Sequence, residues 1–387
     1  MCAQEPCAMM LHGFTTNPVR AVARMAGLRR EIRLVRMLRA QSSPEYLRIS
    51  RRMRAGSWLL VEARSRVHGR RIPVGLIHED SRKEAPKRVN LHNAAVHPEC
   101  FIAPFAADPH ARLSWSTEEE SFAADVVLFR ASGTTVCIDL RRKQVQHLLG
   151  RPLAEEHLAL RERFARYVPS PDFAFLEQGN VVSERFVEGT PIDAVSPPQR
   201  VDAVIKLLEG IGRSARAASQ SEPREAEHLD TREVFRRSPL PEAAHHQAEL
   251  LRLVGPSVLL VPVHGDLGAR NILWVEEDQR PSVIDFGTLG SGPVLVDALK
   301  LVTDLPDALK RGQFDRELAE IWSAMNWDFD AEYLAKSGRI YLLEAIFQAD
   351  YRISRTARPM RRAKQVIKSR DEARRWAMKR KEASGTA

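Results

Sequence analysis

The stretch Val263-His264-Gly265-Asp266-Leu267-Gly268-Ala269-Arg270-Asn271-Ile272-Leu273, followed by Ser282-Val283-Ile284-Asp285-Phe286-Gly287, decides how this chain is read. Apolar runs flank the polar residues at both places. That pattern suits side chains held at strand ends and projected into a cleft. Asn271 stands five residues after Asp266, and Asp285 nineteen after it. The runs Ile272 to Val275 and Ser282 to Ile284 fill the gap as a hairpin would.

Phosphoryl transfer from ATP asks for this set of groups. One carboxylate must orient the acceptor hydroxyl and take its proton, and Asp266 suits that task. Oxygen ligands must hold Mg²⁺ against the charged phosphates. Asn271 supplies a neutral ligand and Asp285 an anionic one. His264 reads as a core histidine that braces the loop.

Taken together, H-G-D-x-x-x-x-N-I-L and I-D-F-G resemble the aminoglycoside phosphotransferase and choline kinase branch of the protein-kinase-like fold. Lipopolysaccharide sugar kinases carry a similar loop. H-G-D departs from the H-R-D of most protein kinases. The resemblance runs from about Phe122 to Leu305. It implies an α+β bilobal fold with a small β-rich N-lobe and a mainly helical C-lobe, and ATP and Mg²⁺ as cofactors. Gly292-Pro293-x-x-x-Asp297 resembles a later element of the family, in which the aspartate is a structural partner of the catalytic loop.

The N-terminal half of the domain fits the family less closely. The fold wants a lysine on its third strand, paired with a glutamate on the next helix. Aligning Val136-Cys137-Ile138-Asp139 with that strand puts Asp139 where lysine belongs. Arg141 or Lys143 then becomes the candidate cation and Glu156 the candidate helix glutamate. No glycine-rich phosphate loop is found over Ser116 to Asp125, and Gly133 falls in a different hairpin. Glu184-Arg185-Phe186-Val187-Glu188-Gly189 resembles the hinge strand, whose backbone would bind adenine. Glu184, Phe186 and Glu188 mark that cofactor-binding stretch. Backbone contacts leave ATP and GTP undistinguished.

Around this core the remaining elements follow from pattern. Val126 to Arg130 and Thr134 to Leu140 flank Ala131-Ser132-Gly133 and predict a hairpin. A helix is expected from about Leu153 to Tyr167, then strands at Phe173 to Leu176 and Val181 to Val187, then a helix from about Pro198 to Ala218. Strands are also expected at Ser57 to Glu62 and Ile72 to Ile77. The domains read as 1–118, an extension of unassigned role with a basic amphipathic helix over Pro18 to Gln41; 119–190, the N-lobe; 191–351, the C-lobe with the catalytic loop; and 352–387, a basic helix or tail. In the amphipathic helix Val22, Met25, Leu28, Ile32, Val35 and Leu38 recur at helical spacing.

The composition, 44% hydrophobic and 28% charged, is that of an ordinary globular chain. No apolar run reaches the roughly 18 residues of a membrane span. The N-terminus has no signal-peptide shape. The scattered Cys2, Cys7, Cys100 and Cys137 fit reduced thiols, and Cys2 and Cys7 near His12 match no zinc spacing. These features point to a cytoplasmic protein, with a peripheral place at the membrane as an option.

The net charge of +9 is uneven: Pro18 to Arg54 and Arg352 to Glu382 carry +9 and +10, which leaves −10 for the rest. Basic arms on an acidic middle point to something anionic, with an anionic membrane surface, nucleic acid and an acidic patch of the same protein as the alternatives. Nucleic acid is the weakest partner reading, because no aromatic-interleaved strand accompanies the charge. The oligomeric state is not legible.

The leading function is an ATP- and Mg-dependent phosphotransferase acting on a hydroxyl of a small molecule or sugar. A membrane-surface kinase of a lipid-linked or lipopolysaccharide sugar is the first alternative, and a non-catalytic pseudokinase or scaffold module the second. Past the D-F-G motif, Trp327, Asp328, Asp330, Tyr333, Tyr341, Glu344 and Asp350 are candidates to greet a cationic acceptor.

Overall fold

The computed structural model describes residues 48–49, 52, 58–64, 71–81, 94–102, 122–129, 134–150, 152–220, 227–238, 240–330, 333–334 and 338–354. The amphipathic helix expected over Pro18 to Gln41, the Ala131-Ser132-Gly133 turn and residues 355–387 lie outside these. The chain divides into two compact units, residues 1–152 with 173–186, and 153–172 with 187–387.

The first unit is one antiparallel sheet. Its strands are β1 (Trp58–Arg64), β2 (Arg71–His78), β3 (Ala94–Ile102), β4 (Val126–Phe129), β5 (Thr135–Asp139), β6 (Gln144–Leu148), β7 (Phe173–Leu176) and β8 (Val181–Arg185), in the order β3-β1-β2-β4-β5-β6-β8-β7. Strands from the first 118 residues therefore extend the same sheet, through the β2–β4 pairing of Leu76 with Val127. The two-residue alternation of β4 and β5 sorts side chains to opposite faces. Val127, Phe129 and Cys137 join Leu76, Leu148 and Val181 in one apolar cluster. Val126, Val136 and Ile138 join Ile77 and Leu140 in another. Both faces are covered, so β5 is buried along its whole length.

The sequence reading passed over one strand, because β6 lies between β5, which carries Asp139, and the first long helix. Asp139 organises the β5–β6 turn. Its buried carboxylate accepts the backbone N–H groups of Ala123, Arg141 and Arg142, and the Arg142 guanidinium at 3.2 Å. The polar run Arg141-Arg142-Lys143 hid the strand boundary, because β6 itself, Gln-Val-Gln-His-Leu, carries few apolar residues.

The second unit is mainly helical, giving the expected α+β architecture. It contains α1 (Glu155–Ala165), β9 (Thr190–Pro191), α2 (Pro197–Ser219), β10 (His228–Asp230), α3 (Thr231–Arg237), α4 (Pro241–His245), α5 (Gln247–Val254), β11 (Ser257–Val263), β12 (Ile272–Val275), β13 (Arg280–Val283), β14 (Gly290–Pro293), α6 (Leu295–Thr303), α7 (Pro306–Lys310), α8 (Asp315–Ala324) and α9 (Arg339–Ser354).

The long helix α2 starts cleanly because Ser196 and Gln199 form a reciprocal capping box and Pro197 occupies the first turn. Its buried stripe of Ala203, Val204, Leu207, Leu208, Ile211 and Ala215 belongs to the main core. Two small sheets, β10-β11-β14 and β13-β12-β9, carry the segments between these helices. The helix α9 packs on α6, where Gln348 Nε2 donates to the Val296 carbonyl at 2.9 Å.

Candidate active site

Strand β11 reads Ser-Val-Leu-Leu-Val-Pro-Val and is largely buried, so it forms a rigid support. Its end delivers His264, Gly265 and Asp266. A short 3₁₀ turn, Ala269 to Asn271, then leads into β12, and the expected hairpin follows with Ile272 opposite Val283. The ladder continues one step beyond the strands, because Ile284 N–H donates to the Asn271 carbonyl at 2.9 Å. Asn271 and Asp285 thus sit at the same end of the hairpin. Asp285 adopts a left-handed backbone, φ 68° and ψ 64°, at the strand-to-turn junction. A non-glycine residue held there is a strained position of the kind that clusters at functional sites.

Three hydrogen bonds fix the loop's own geometry. The Asn271 amide Nδ2 donates to the Asp266 carbonyl at 2.8 Å, which turns the Asn271 Oδ1 the other way as an oxygen donor. His264 Nε2 lies 3.0 Å from the Ile284 carbonyl, and Asp266 N–H approaches His264 Nδ1 at 3.4 Å. A carbonyl only accepts, so the ring proton is on Nε2. His264 is fully buried and braces the loop, as its reading from sequence expects.

Asp297, in the first turn of α6, anchors the loop from below. Its carboxylate accepts His264 N–H at 2.5 Å and Gly265 N–H at 2.9 Å. Burial pushes the Asp297 carboxyl above the ordinary range, opposed by His264 and by those two backbone N–H groups. This is the geometry of the structural partner that the G-P-x-x-x-D resemblance implies.

Glycine is needed at the loop for two reasons. Gly265 has φ +76°, and a Cβ there would lie 2.2 Å from a Tyr351 ring carbon. Gly292 faces the same ring, with a Cβ meeting it at 2.5 Å. The Tyr351 hydroxyl donates to the Thr288 carbonyl at 2.7 Å, and Thr288 Oγ1 donates to the His264 carbonyl at 2.7 Å. Tyr351 of α9 therefore locks the two motifs together.

Phe286 of the D-F-G motif is buried against Phe164 of α1, edge-on with centroids 5.6 Å apart, and against His264 at 5.2 Å. The Arg161 guanidinium, also from α1, stacks 3.8 Å over the Phe286 ring. Both carboxylate oxygens of Asp266 are engaged: Oδ2 pairs with Arg270, and Oδ1 with Arg352 Nη2 at 3.1 Å.

The structure brings Asp266, Asn271 and Asp285 onto one hairpin and its flanking loop. The remaining candidates belong to other elements of the chain. Arg141 is exposed in the β5–β6 turn, and Phe186 N–H donates to the Lys143 carbonyl at 2.7 Å. Glu184 is buried on β8, with Oε2 3.4 Å from His147 Nε2 on β6. In the second unit, Glu156 is exposed in the first turn of α1 and Glu188 is exposed after β8.

Three members of the set suggested for a cationic acceptor are engaged within the protein. Asp350 pairs with Arg237 at 3.1 Å, Tyr333 bonds Glu249, and the Trp327 indole donates to the Arg252 carbonyl at 3.0 Å. Sequence reasoning missed Arg161, Tyr351 and Arg352. Arg270 had a local signal, since it lies four residues after Asp266.

Residues 185–333 match the family model described as Phosphotransferase enzyme family. The matched segment is less than half of the chain and includes both the H-G-D loop and the D-F-G motif. Similar solved structures include an aminoglycoside phosphotransferase from Streptomyces rimosus ATCC10970, 20% identical, covering 56% of this chain and 90% of that one, with a TM-score of 0.31. Another, from Alicyclobacillus acidocaldarius subsp. acidocaldarius DSM 446, is 14% identical, covers 65% and 90%, and has a TM-score of 0.34. A choline/ethanolamine kinase family protein from Mesorhizobium loti is 15% identical, covers 62% and 84%, and has a TM-score of 0.33. No curated protein sequence matches the chain. No helix among the described residues is long and apolar enough to cross a membrane.

Proposed function

We propose that this chain is an ATP- and Mg²⁺-dependent phosphotransferase that phosphorylates a hydroxyl of a small molecule or sugar. The observation that carries the reading is the joined loop and hairpin, in which Asn271 is tied to Asp266 and pairs with Ile284, one residue before Asp285. Asp266 accepts the acceptor's hydroxyl proton. The freed oxygen forms the new bond to the γ-phosphorus as the bond between that phosphorus and the β–γ bridging oxygen breaks, and ADP leaves with the electron pair.

Asn271 and Asp285 offer the hard oxygen donors that suit Mg²⁺. Two protein ligands are enough, because Mg²⁺ keeps waters and substrate phosphates in its shell. Bound there, it would neutralise charge on the phosphate oxygens. Among the described residues no group of three or more His, Cys, Asp or Glu side chains gathers as a fuller metal cage. The backbone from Glu184 to Glu188 is our candidate for adenine. We place the protein in the cytoplasm.

Titration calorimetry with MgATP on the wild type and on Asp285→Ala tests the metal site, and ADP release by Asp266→Asn tests the base. Expected are MgATP binding by the wild type, its loss in Asp285→Ala, and a fall in turnover of about 10²–10⁴-fold in Asp266→Asn. A wild type that binds no nucleotide with any divalent metal sinks the reading in favour of a scaffold.

A further inference from the structure

The carboxylate of Asp266 is held between two guanidinium groups. Arg270 reaches Oδ2 from the same loop, and Arg352 reaches Oδ1 from α9. Folding gives no strong reason for the first pair. The Arg270 side chain is 76% exposed, and ion pairs that open to water contribute little to stability. On the far side of the loop, Lys300 is already neutralised by Asp304, and both flank Gly268. Both ion pairs that the Asp266 carboxylate makes are with cations, Arg270 and Arg352, while Asp297 lies under the loop and Asp285 at the end of the hairpin.

This matters for whatever binds beside that carboxylate. An acceptor hydroxyl has to come within about 2.6–3.2 Å of Asp266 to give up its proton. Arg352 Nη2 is itself 3.1 Å from Oδ1, so atoms next to that hydroxyl fall within reach of both guanidinium groups. Guanidinium groups present a planar fork of N–H donors matched to carboxylate and phosphate. An ammonium group in the same place would meet like charge. Two acidic side chains of the second unit are engaged internally, Asp350 with Arg237 and Glu249 with Arg339.

We propose that Arg270 and Arg352 form an oxyanion subsite, so that the acceptor bears a carboxylate or phosphate next to the hydroxyl that is phosphorylated. The proposal rests on the phosphotransferase reading and narrows its substrate class to anionic acceptors. Arg270 and Arg352 act as specificity residues that orient the acceptor against Asp266.

The test uses inorganic phosphate as the probe, titrated by calorimetry into the full-length chain. The variants are Arg270→Gln, Arg352→Gln, the double variant and Arg352→Lys, each also titrated with MgATP. Expected is millimolar or tighter phosphate binding by the wild type, weakened about tenfold or more in the double variant and partly retained in Arg352→Lys, with MgATP affinity changed less than about threefold. Arg270→Gln alters an exposed side chain and keeps the test valid if Arg352→Gln does not fold. Phosphate binding that is absent from the wild type, or equal in wild type and variants, overturns the subsite. A parallel loss of MgATP affinity also overturns it, because the oxyanion would then be the nucleotide's own phosphate. Failure of the phosphotransferase reading looks different: the wild type then binds no MgATP, whatever phosphate does.

Discussion

Replacing Gly265 by alanine puts a methyl group where the ring of Tyr351 already lies. The backbone at this position has φ +76°, and a left-handed conformation costs an L-residue about 1–2 kcal/mol relative to glycine. The new Cβ would stand 2.2 Å from Tyr351 Cε1 and 3.0 Å from the Thr288 carbonyl oxygen. The ring has little room to retreat, because Gly292 lies against it as well and its hydroxyl is bonded to Thr288. Forcing extra volume into such packing costs about 1–3 kcal/mol, and loss of the tyrosine hydrogen bond about 1 kcal/mol more. The expected destabilisation is about 4 kcal/mol, a large part of what a domain typically has.

Urea unfolding of wild type, Gly265→Ala, Tyr351→Ala and the double variant closes a thermodynamic cycle around this contact. With the ring removed, Gly265→Ala should cost only its backbone share, leaving a coupling of about 2 kcal/mol. Gly150→Ala is the internal control, since nothing lies within 4 Å of a Cβ there. The reasoning is refuted if Gly265→Ala costs less than about 1 kcal/mol, or costs the same in both backgrounds.

Two further outcomes are expected. Asp297→Ala strips the acceptor from two buried N–H groups and should lower stability by about 3 kcal/mol, with faster hydrogen exchange at the His264 and Gly265 amides than at the β11 amides; unchanged exchange at those two amides would show that Asp297 does not hold the loop. The hydrogen bonds from Arg339 and Tyr333 hold the Glu249 carboxyl at about 2, below its ordinary 4.5. A depressed folded pKa contributes stability above the unfolded value and loses it as pH falls through the folded one. The advantage of the wild type over Glu249→Gln should therefore be full at neutral pH and shrink between about pH 4.5 and 2 in unfolding experiments, and a gap that does not change with pH would count against the Glu249 contacts.

How far the chain could be read from its residues varied with the range of the interactions. The β12–β13 hairpin, the loop from His264 to Asn271 and the helix α2 follow from neighbours within one or two turns of chain. Alternation, capping residues and glycine positions are visible at that scale. The β5–β6 boundary escaped because Asp139 does its work through backbone N–H groups, which have no residue code. Asp350 and Tyr333 looked available to a ligand because their partners, Arg237 and Glu249, lie far away in sequence.

The order and spacing of H-G-D, Asn271 and D-F-G determined by themselves which carboxylate, amide and second carboxylate share one end of a hairpin, because a hairpin of that length leaves few other ways to fold. Tertiary structure alone decided what surrounds them. Tyr351 wedges between Gly265 and Gly292, Arg161 stacks on Phe286, and Arg352 meets Asp266 across 86 positions of sequence. Such contacts depend on how α1, α6 and α9 pack on the small sheets. Packing is settled by the sum of many weak apolar contacts over the whole core, and no local pattern in the chain encodes it.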